Sequence, residues 1–445
     1  MSQSASATGP APATATGPRP GTAPRPGTGA LAPTRTGAPP SPKPGAAQAQ
    51  RSTPRSLRLW TLATVLACAV FALTSLATMW NATTAGSEAA DDAAQLVRIQ
   101  SIRANLLRAD SLATNAFLVG GLESADQRSA YDEALEETTQ LLAEAAAAQP
   151  EDRESLSVLN RAVLRYAADM EQARANNRQG YPVGAGYLSE ASAELRTAAL
   201  PILEELAAVN QQRANDQLEA NNHPWFELIG IAAVVVLVVA MFWTARRFRR
   251  VINVGLLVAT ALALVTLVAG MAVLANNRSV SDDIRSGDLD TITTVGAMRA
   301  AANEAKVQES LRLIAHGSGA SHEEAWKRAS QDVEDGLSGS GGNLRQLWAN
   351  YVEAHETVVE NDENGKWEDA VEFATGGDDD SPNATFDAFD DEASAMLDAS
   401  ADQVRQEADR LAVGPMVLLF LGVPALVVAA IFSAVGLRAR LKEYQ

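Results

Sequence analysis

Two kinds of side chain in this sequence could in principle bind a metal ion. His316, His322 and His355 could meet around one, but no two of them have the spacing of paired ligands on one helix face. The acidic runs 378–380 and 390–392 lack the alternating acids and the closing glutamate of a calcium loop. We therefore expect isolated surface histidines and solvated acidic segments. No catalytic residue, metal or cofactor is predicted, and the chain is not expected to be an enzyme.

The elements that dominate the sequence are four long apolar stretches with almost no charged residue. A helix needs about 20 apolar residues to cross a bilayer. The predicted spans cover residues 58–80, 225–245, 251–277 and 411–437. The single cysteine, Cys68, lies in the first span, where a small buried apolar role is expected. The sequence predicts an all-α, four-pass membrane protein.

The distribution of charge predicts the orientation of these spans. The chain carries a net charge of −18, yet 14 Lys and Arg residues and only one acid lie in three short pieces, 1–58, 246–250 and 438–445. Short basic segments stay in the cytoplasm. We therefore expect a cell-membrane protein with both termini cytoplasmic and two long acidic segments, 81–224 and 278–410, outside.

The basic link and the N-terminal tail have separate expected roles. Arg246, Arg247, Arg249 and Arg250 are expected to fix the topology and to contact anionic lipid head groups. Residues 1–57 hold 12 of the 19 prolines and almost no large apolar residue. Such a segment cannot bury enough surface to offset the entropy of folding, so a disordered cytoplasmic tail is predicted.

The first long segment, bundle 1 (residues 81–224), has apolar residues at helical spacing. Breakers at Gly120 and Gly121, at Pro150 and in the loop 176–187 divide it into helices at about 82–119, 124–148, 152–177 and 188–222. Ser124 or Asp152 could cap the helix that follows it. The pattern predicts an antiparallel four-helix bundle that stands on two spans.

The second long segment, bundle 2 (residues 278–410), repeats this plan. Helices are expected near 279–315, 321–336, 343–361 and 384–410, with a short piece around 367–373. A shift of 196 residues places Arg103 on Arg299 and Gly121 on Gly317. The agreement favours a duplicated unit of two spans and one bundle.

This architecture favours the transfer of information across the membrane. A bundle continuous with membrane helices can convert a shift at its far end into a shift of the cytoplasmic ends. A transporter subunit is the less favoured alternative, since the spans lack the ionisable residues that transporters place at mid-bilayer. No nucleic-acid partner is predicted.

The stretch 99–121 resembles the first helix of chemoreceptor-type four-helix sensor domains. It reads Ile-Gln-Ser-Ile-Arg-Ala-Asn-Leu-Leu-Arg-Ala-Asp over 99–110 and ends in Phe-Leu-Val-Gly-Gly at 117–121. The layout of tail, four spans and two bundles is similar to that of the actinobacterial GlnX-type membrane transducers. Members of that family are encoded beside the amino-acid-binding lipoprotein GlnH and the Ser/Thr kinase PknG.

The resemblance implies a transducer in the regulation of glutamate and nitrogen metabolism. Its implied partners are an extracytoplasmic solute-binding lipoprotein and a cytoplasmic Ser/Thr protein kinase, reached directly or indirectly, and a homodimer is possible. The chain lacks the long cytoplasmic signalling coiled coil of chemoreceptors. Methylation-type signalling is therefore not expected.

Two modes of sensing are left open by the sequence. In the first, a partner protein docks on the membrane-distal loops, with Tyr181, Pro182 and Tyr187 as candidate anchors and Gly121 and Gly317 at the bundle tips. The tyrosines could equally close the bundle. In the second, the bundle binds a small ligand directly, and Arg103 and Arg108 are the candidate residues that would bind a carboxylate of that ligand. The alternative for both arginines is a surface ion pair.

Overall fold

The computed structural model describes residues 45–119, 123–180, 183–219, 224–248, 253–338 and 342–442. Within these ranges every regular element is a helix and no strand occurs. Contacts within the chain divide it into two units, residues 1–53 and 54–445. The all-α prediction is confirmed.

Bundle 1 follows the predicted order of helices. Its members are α1 (Gly45–Leu118), α2 (Ala125–Ala148), α3 (Arg153–Arg178), α4 (Val183–Glu194) and α5 (Leu200–Glu219). A 3-10 turn, Pro150–Asp152, precedes α3, and a π-helical turn, Leu195–Ala199, joins α4 to α5. The predicted apolar stripes of α1 and α3 are buried together in one core, from Ile99 to Ala113 and from Leu156 to Met170.

The helix ends show which predicted caps form. Ser124 accepts a hydrogen bond from the backbone N–H of Gln127, whose side chain reaches back to the Ser124 backbone, and so closes a capping box. The proposed cap at Asp152 is wrong, because its carboxylate instead accepts hydrogen bonds from Asn210 and Arg213 of α5. These hydrogen bonds from α5 to a buried carboxylate hold the base of bundle 1 together.

The last helix of bundle 1 begins earlier than predicted. We expected a loop up to Tyr187, but α4 begins at Val183. Gly184 lies inside this helix, at a place where neighbouring segments approach its backbone closely. A Cβ there would lie 3.0 Å from the Asn177 nitrogen and 3.1 Å from the Phe117 ring. The glycine therefore allows helix packing and does not form a turn.

Bundle 2 also follows the predicted order. It contains α8 (Leu289–Ile314), α9 (Ala320–Leu337), α10 (Asn343–Glu363), α11 (Trp367–Thr375) and the first part of α12 (Pro382–Lys442). Aromatic rings fill its centre: Trp348 packs on Tyr351 and Phe389 at centroid distances of 5.0 and 5.1 Å. Gly317 follows α8 with a left-handed φ of +80°, as a helix-ending glycine should.

Four helices are long and apolar enough to cross a membrane, as predicted. They are α1, α6 (Trp225–Phe248), α7 (Val254–Asp283) with its continuation α8, and α12. Their apolar parts share one core that includes Phe71, Leu237, Leu267 and Leu426. Other faces of these helices expose large apolar side chains, which is the pattern of lipid contact.

Helix α1 begins at Gly45, so the last part of the tail predicted for residues 1–57 lies in this helix. Adding residues to an existing helix costs far less than starting one, so the span extends into the Ala- and Gln-containing stretch before it. Residues 1–44 lie outside the described residues.

The two bundles share a core at their bases, which the sequence did not predict. Ala93 and Leu96 of α1 and Leu218 of α5 belong to the same apolar cluster as Ile292 of α8 and Leu397 of α12. The bundles therefore pack against each other where they approach the apolar segments.

Candidate functional site

A polar contact where the bundles meet joins α8, α12 and α1. Arg299 of α8 binds Asp390 of α12 through two hydrogen bonds, Nε to Oδ1 at 2.6 Å and Nη2 to Oδ2 at 2.8 Å. Asn303 donates to the same Oδ1 at 3.2 Å. From bundle 1, Arg108 of α1 donates to Asp390 Oδ2 at 3.3 Å. One carboxylate therefore holds two arginines from different bundles.

The burial of Asp390 makes this arrangement electrostatically demanding. Its side chain is 1% exposed and that of Arg299 is 6% exposed. Burial alone would raise the pKa of Asp390, but the hydrogen bonds and charge of Arg299 lower it below its usual value. The pKa of Arg299 is raised by Asp390 against the opposite effect of burial. The pair is thus held in its charged form.

A second contact between the bundles lies at the π-helical turn Leu195–Ala199. Arg196 in this turn binds Asp110 of α1, Nη1 to Oδ2 at 3.1 Å, and Glu304 of α8, Nη2 to Oε2 at 2.9 Å. Ser192 and Tyr166 also donate to Asp110. Burial raises the pKa of Asp110, which Arg196 partly opposes. π-Helical turns recur at functional positions, and this one places a cation between the bundles.

A third polar cluster lies inside bundle 2 around His355. Its Nδ1 lies 2.9 Å from Glu309 Oε2, its Nε2 lies 3.4 Å from Glu323 Oε2, and its ring stacks on Trp326 at 3.7 Å. Lys306 donates to the other oxygen of Glu309 at 2.6 Å. The pKa of Glu309 falls to about 2 because Lys306 and His355 outweigh its burial.

The expectation of isolated surface histidines is therefore wrong for His355, which is 1% exposed. Burial would lower the pKa of His355, but the hydrogen bonds that its ring donates to Glu309 and Glu323, with the charges of these carboxylates, raise it. His322 contacts Gln308, and His316 packs edge-on against Trp367. Among the described residues no group of side chains is arranged to hold a metal ion.

The two acidic runs have different environments. Asp378, Asp379 and Asp380 are exposed, as expected of a solvated loop. The prediction is wrong for the second run, because Asp390 is buried in α12 and binds Arg299. Its neighbour Asp391 is exposed. Two adjacent acids on one helix therefore have different environments: one is buried in an ion pair and the other is solvated.

The two candidate ligand arginines have different surroundings. Arg108 forms ion pairs with Asp390 and, at 3.6 Å, with Asp387, so it is neither a plain surface pair nor a free ligand group. Arg103 is half-buried, and its Nε has no hydrogen-bond partner among the described residues. Burial lowers the pKa of Arg103, and nearby Glu204 opposes that effect. The structure does not bring the two arginines together around one site.

The candidate docking residues can be placed only in part. Tyr187 is half-buried and packs against the core of bundle 1, which agrees with a role in closing the bundle. Gly317 is exposed at the end of α8. The candidates Gly121, Tyr181 and Pro182 lie outside the described residues.

The basic link can also be placed only in part. Arg246 and Arg247 occupy the last turn of α6 and are exposed. Cations in that position are favoured by the partial negative charge of a helix C-terminus. Arg249 and Arg250 lie outside the described residues.

Sequence reasoning missed the buried ion pair of bundle 2 that bundle 1 contacts. Arg299 was noted as the counterpart of Arg103 in the internal repeat, and Asp390 as part of an acidic run. The signal that could have identified them is position, since Arg299 continues the apolar stripe of Ile292 and Val295 on α8. A charge on a core-facing position requires a buried partner.

Comparison with known proteins places bundle 1 in context. Residues 85–219 match a protein family described as an actinobacterial sensor domain. No curated protein matches the chain, and no solved structure does. The matched range extends from α1 to the end of α5, so bundle 1 is similar to a sensor domain and the chain has a sensing or signalling role.

Proposed function

We propose that the protein is a multi-pass transducer in the cell membrane, with both bundles outside and both termini in the cytoplasm. The orientation rests on the charge split, with basic residues such as Arg246 and Arg247 beside the apolar segments and the acidic residues in the bundles. The match to a sensor domain over residues 85–219 supports the sensing role.

One observation carries the proposal: three helices run from the bundles into the apolar segments without a break. They are α1, the continuous run of α7, the π-helical turn Ile284–Asp288 and α8, and α12. A continuous helix can carry a shift or rotation along its length, and Pro415 and Pro424 in the apolar part of α12 lie where a helix kinks. A displacement in the bundles therefore reaches the other end of the apolar segments.

The contacts between the bundles fit such a role. Asp390 holds Arg299 and Arg108, and Arg196 holds Asp110 and Glu304, so all three continuous helices meet in buried or partly buried ion pairs. An unpaired buried charge is strongly destabilising. An arginine that leaves one carboxylate must therefore pair with another, so these contacts change between distinct arrangements. A change in one bundle is in this way coupled to the other.

The finer proposal names the partners. By its layout the chain is a GlnX-type transducer that reads the state of an extracytoplasmic amino-acid-binding lipoprotein. It relays that state to a cytoplasmic Ser/Thr protein kinase that controls glutamate and nitrogen metabolism. The docking surface on this account is the membrane-distal end, which includes Gly317 and Tyr187.

Photo-crosslinking tests this docking surface. A photoreactive residue at the exposed Ser318 should capture the lipoprotein, whereas one at the exposed Arg161, in the middle of α3, should not. Capture at Arg161 alone would move the docking site to the bundle flank. For the inner partner, adding amino acid should change the phosphorylation of kinase substrates in cells that carry the protein but not in cells that lack it.

A further inference from the structure

A cleft of about 580 Å³ lies between the bundles, on the side of α1 that faces α2 and α12. Its volume falls in the range of roughly 300–1,000 Å³ that is usual for small-molecule sites. Its inner residues, from α1 and α8, are buried or half-buried, and most of its outer charged residues, from α2 and α12, are exposed. We call these two sets the floor and the rim.

The floor carries positive charge and hydrogen-bond donors. Arg98 and Arg108 of α1 and Arg299 of α8 all line the cleft. Two carboxylates pair with two of these groups, Asp390 with Arg299 and Arg108 and Asp387 with Arg108, whereas Arg98 donates a hydrogen bond to Gln95. The floor therefore keeps a net positive charge.

Asn105, at the middle of the floor, has an unused donor. The residue is 5% exposed and lines the cleft, and its Nδ2 has no hydrogen-bond partner among the described residues. A buried amide N–H without an acceptor is costly. An acceptor inside the cleft would remove that cost.

The rim carries the opposite charge. Glu137 of α2 and Asp391, Asp398 and Asp402 of α12 line the outer part of the cleft. The one cation among them, Arg405, lies 3.5 Å from Asp402. Negative charge therefore surrounds the entrance to a positive floor.

We infer that this cleft binds a small zwitterion of zero net charge, of the neutral α-amino acid class. The ligand carboxylate would accept hydrogen bonds from Asn105 Nδ2 and the floor arginines, and its ammonium group would lie among the rim carboxylates. Val97 and Leu141 offer apolar contact for a side chain. A dicarboxylate would bring a second negative charge against the rim, and a diamine a second positive charge against the floor.

This inference goes beyond the proposed function, because it concerns binding to the chain itself without any partner protein. A ligand in the cleft would contact α1, α2 and α12 together and so brace the two bundles. Binding can fail while transduction through a docked partner stands, and the reverse also holds.

Calorimetry on the full chain in lipid nanodiscs tests the inference. L-alanine, L-serine and L-valine would be titrated one at a time, beside propionate, propylamine and L-glutamate. We expect at least one neutral amino acid to bind with one site per chain, and the other three probes to bind at least tenfold more weakly. Absence of binding by all three neutral amino acids would overturn the inference, as would equal binding of propionate or tighter binding of L-glutamate.

Two variants then place the binding in the cleft. Asn105→Asp adds a negative charge to the floor, and Asp398→Asn removes one from the exposed rim; each should weaken binding about tenfold or more. The matched control, Asp409→Asn, changes an exposed acid of the same helix outside the cleft and should leave binding unchanged. If Asn105→Asp does not fold, Asp398→Asn decides alone, since its side chain is exposed. Unchanged affinity in Asp398→Asn would overturn the assignment.

Discussion

Arg299 and Asp390 form a two-bonded ion pair, at 2.6 and 2.8 Å, between two helices that both continue into apolar segments. Neither side chain has more than 6% of its surface exposed. Arg108 of the other bundle reaches the same carboxylate. Through the Asp390 carboxylate, bundle 1 is therefore linked to both α8 and α12, the two continuous helices of bundle 2.

Removal of this carboxylate should be strongly destabilising. Asp390→Ala leaves Arg299 buried without a partner, and breaking a buried pair in this way costs roughly 3–5 kcal/mol. Unfolding of the full chain in detergent, followed by circular dichroism, measures the change. The control is Asp132→Ala, which removes an exposed partner of Arg128 and should cost about 1 kcal/mol or less. Equal losses in the two variants would contradict the role assigned to burial.

The His355 cluster predicts a pH dependence of stability. The pKa of His355 in the folded chain is above its ordinary value of 6.5. Its contribution to stability is therefore complete below pH 6.5 and is lost as the pH rises through the folded pKa. The melting temperature of the wild type should fall over this range, and His355→Gln should remove that part of the fall.

The matched control is His316→Gln, which changes an exposed histidine at the end of α8. It should keep the wild-type profile. Burial lowers the pKa of His322, so its effect on the pH dependence of stability is opposite to that of His355. This effect is the same in the wild type and in both variants, and it cancels when their profiles are compared. If the melting temperatures of His355→Gln and the wild type change with pH in the same way, the prediction is contradicted, because the His355 cluster then takes up no proton on folding.

Close packing between α7 and α12 depends on Gly255. A Cβ at this position would lie 2.6 Å from the Phe432 carbonyl oxygen and 2.8 Å from the Gly436 Cα. These are backbone atoms that cannot move aside, so Gly255→Ala should lower stability by about 1–3 kcal/mol. Gly287→Ala is the control, because nothing lies within 4 Å of a Cβ there. A control that melts earlier than Gly255→Ala would contradict this prediction.

Thiol labelling in intact cells tests the orientation. In a Cys68→Ala background, Gly317→Cys should react with a membrane-impermeant reagent, since Gly317 is exposed at the end of bundle 2. Arg246→Cys, exposed in the last turn of α6, should react only after the cells are opened. The reverse pattern would invert the topology and place the bundles in the cytoplasm.

Helix order and boundaries could be predicted because the signals are local. The spacing of Ile99, Ile102 and Leu106, the capping pair at Ser124 and the glycine at 317 each act within a few residues of chain. Gly184 was misread because its role depends on the distant Phe117. A glycine at a turn and a glycine at a helix contact look the same in a sequence.

The polar contacts between the bundles could not be predicted, because each depends on residues far apart in the chain. Arg108 and Asp390 are separated by 282 positions. The acidic composition offered many possible partners for every arginine, and only the packing of α1 against α12 selects Asp390. The same holds for His355, whose two carboxylates come from α8 and α9.

On the proposed mechanism, a shift of α1 relative to α12 carries the signal, and its most direct test is to prevent movement between these two helices. A Cβ at Gly86 would lie 3.6 Å from the Leu411 Cβ, within the range of about 3.5–4.5 Å that a disulfide requires. The measurement is the change in kinase-substrate phosphorylation after amino acid is added to cells that carry Gly86→Cys, Leu411→Cys and Cys68→Ala. Each single-cysteine variant serves as a control.

We expect the oxidised protein to give no change in phosphorylation, a reductant to restore the change, and both single-cysteine variants to respond like the parent with Cys68→Ala. An undiminished response from protein in which the disulfide has formed would contradict the claim that relative movement of these two helices carries the signal.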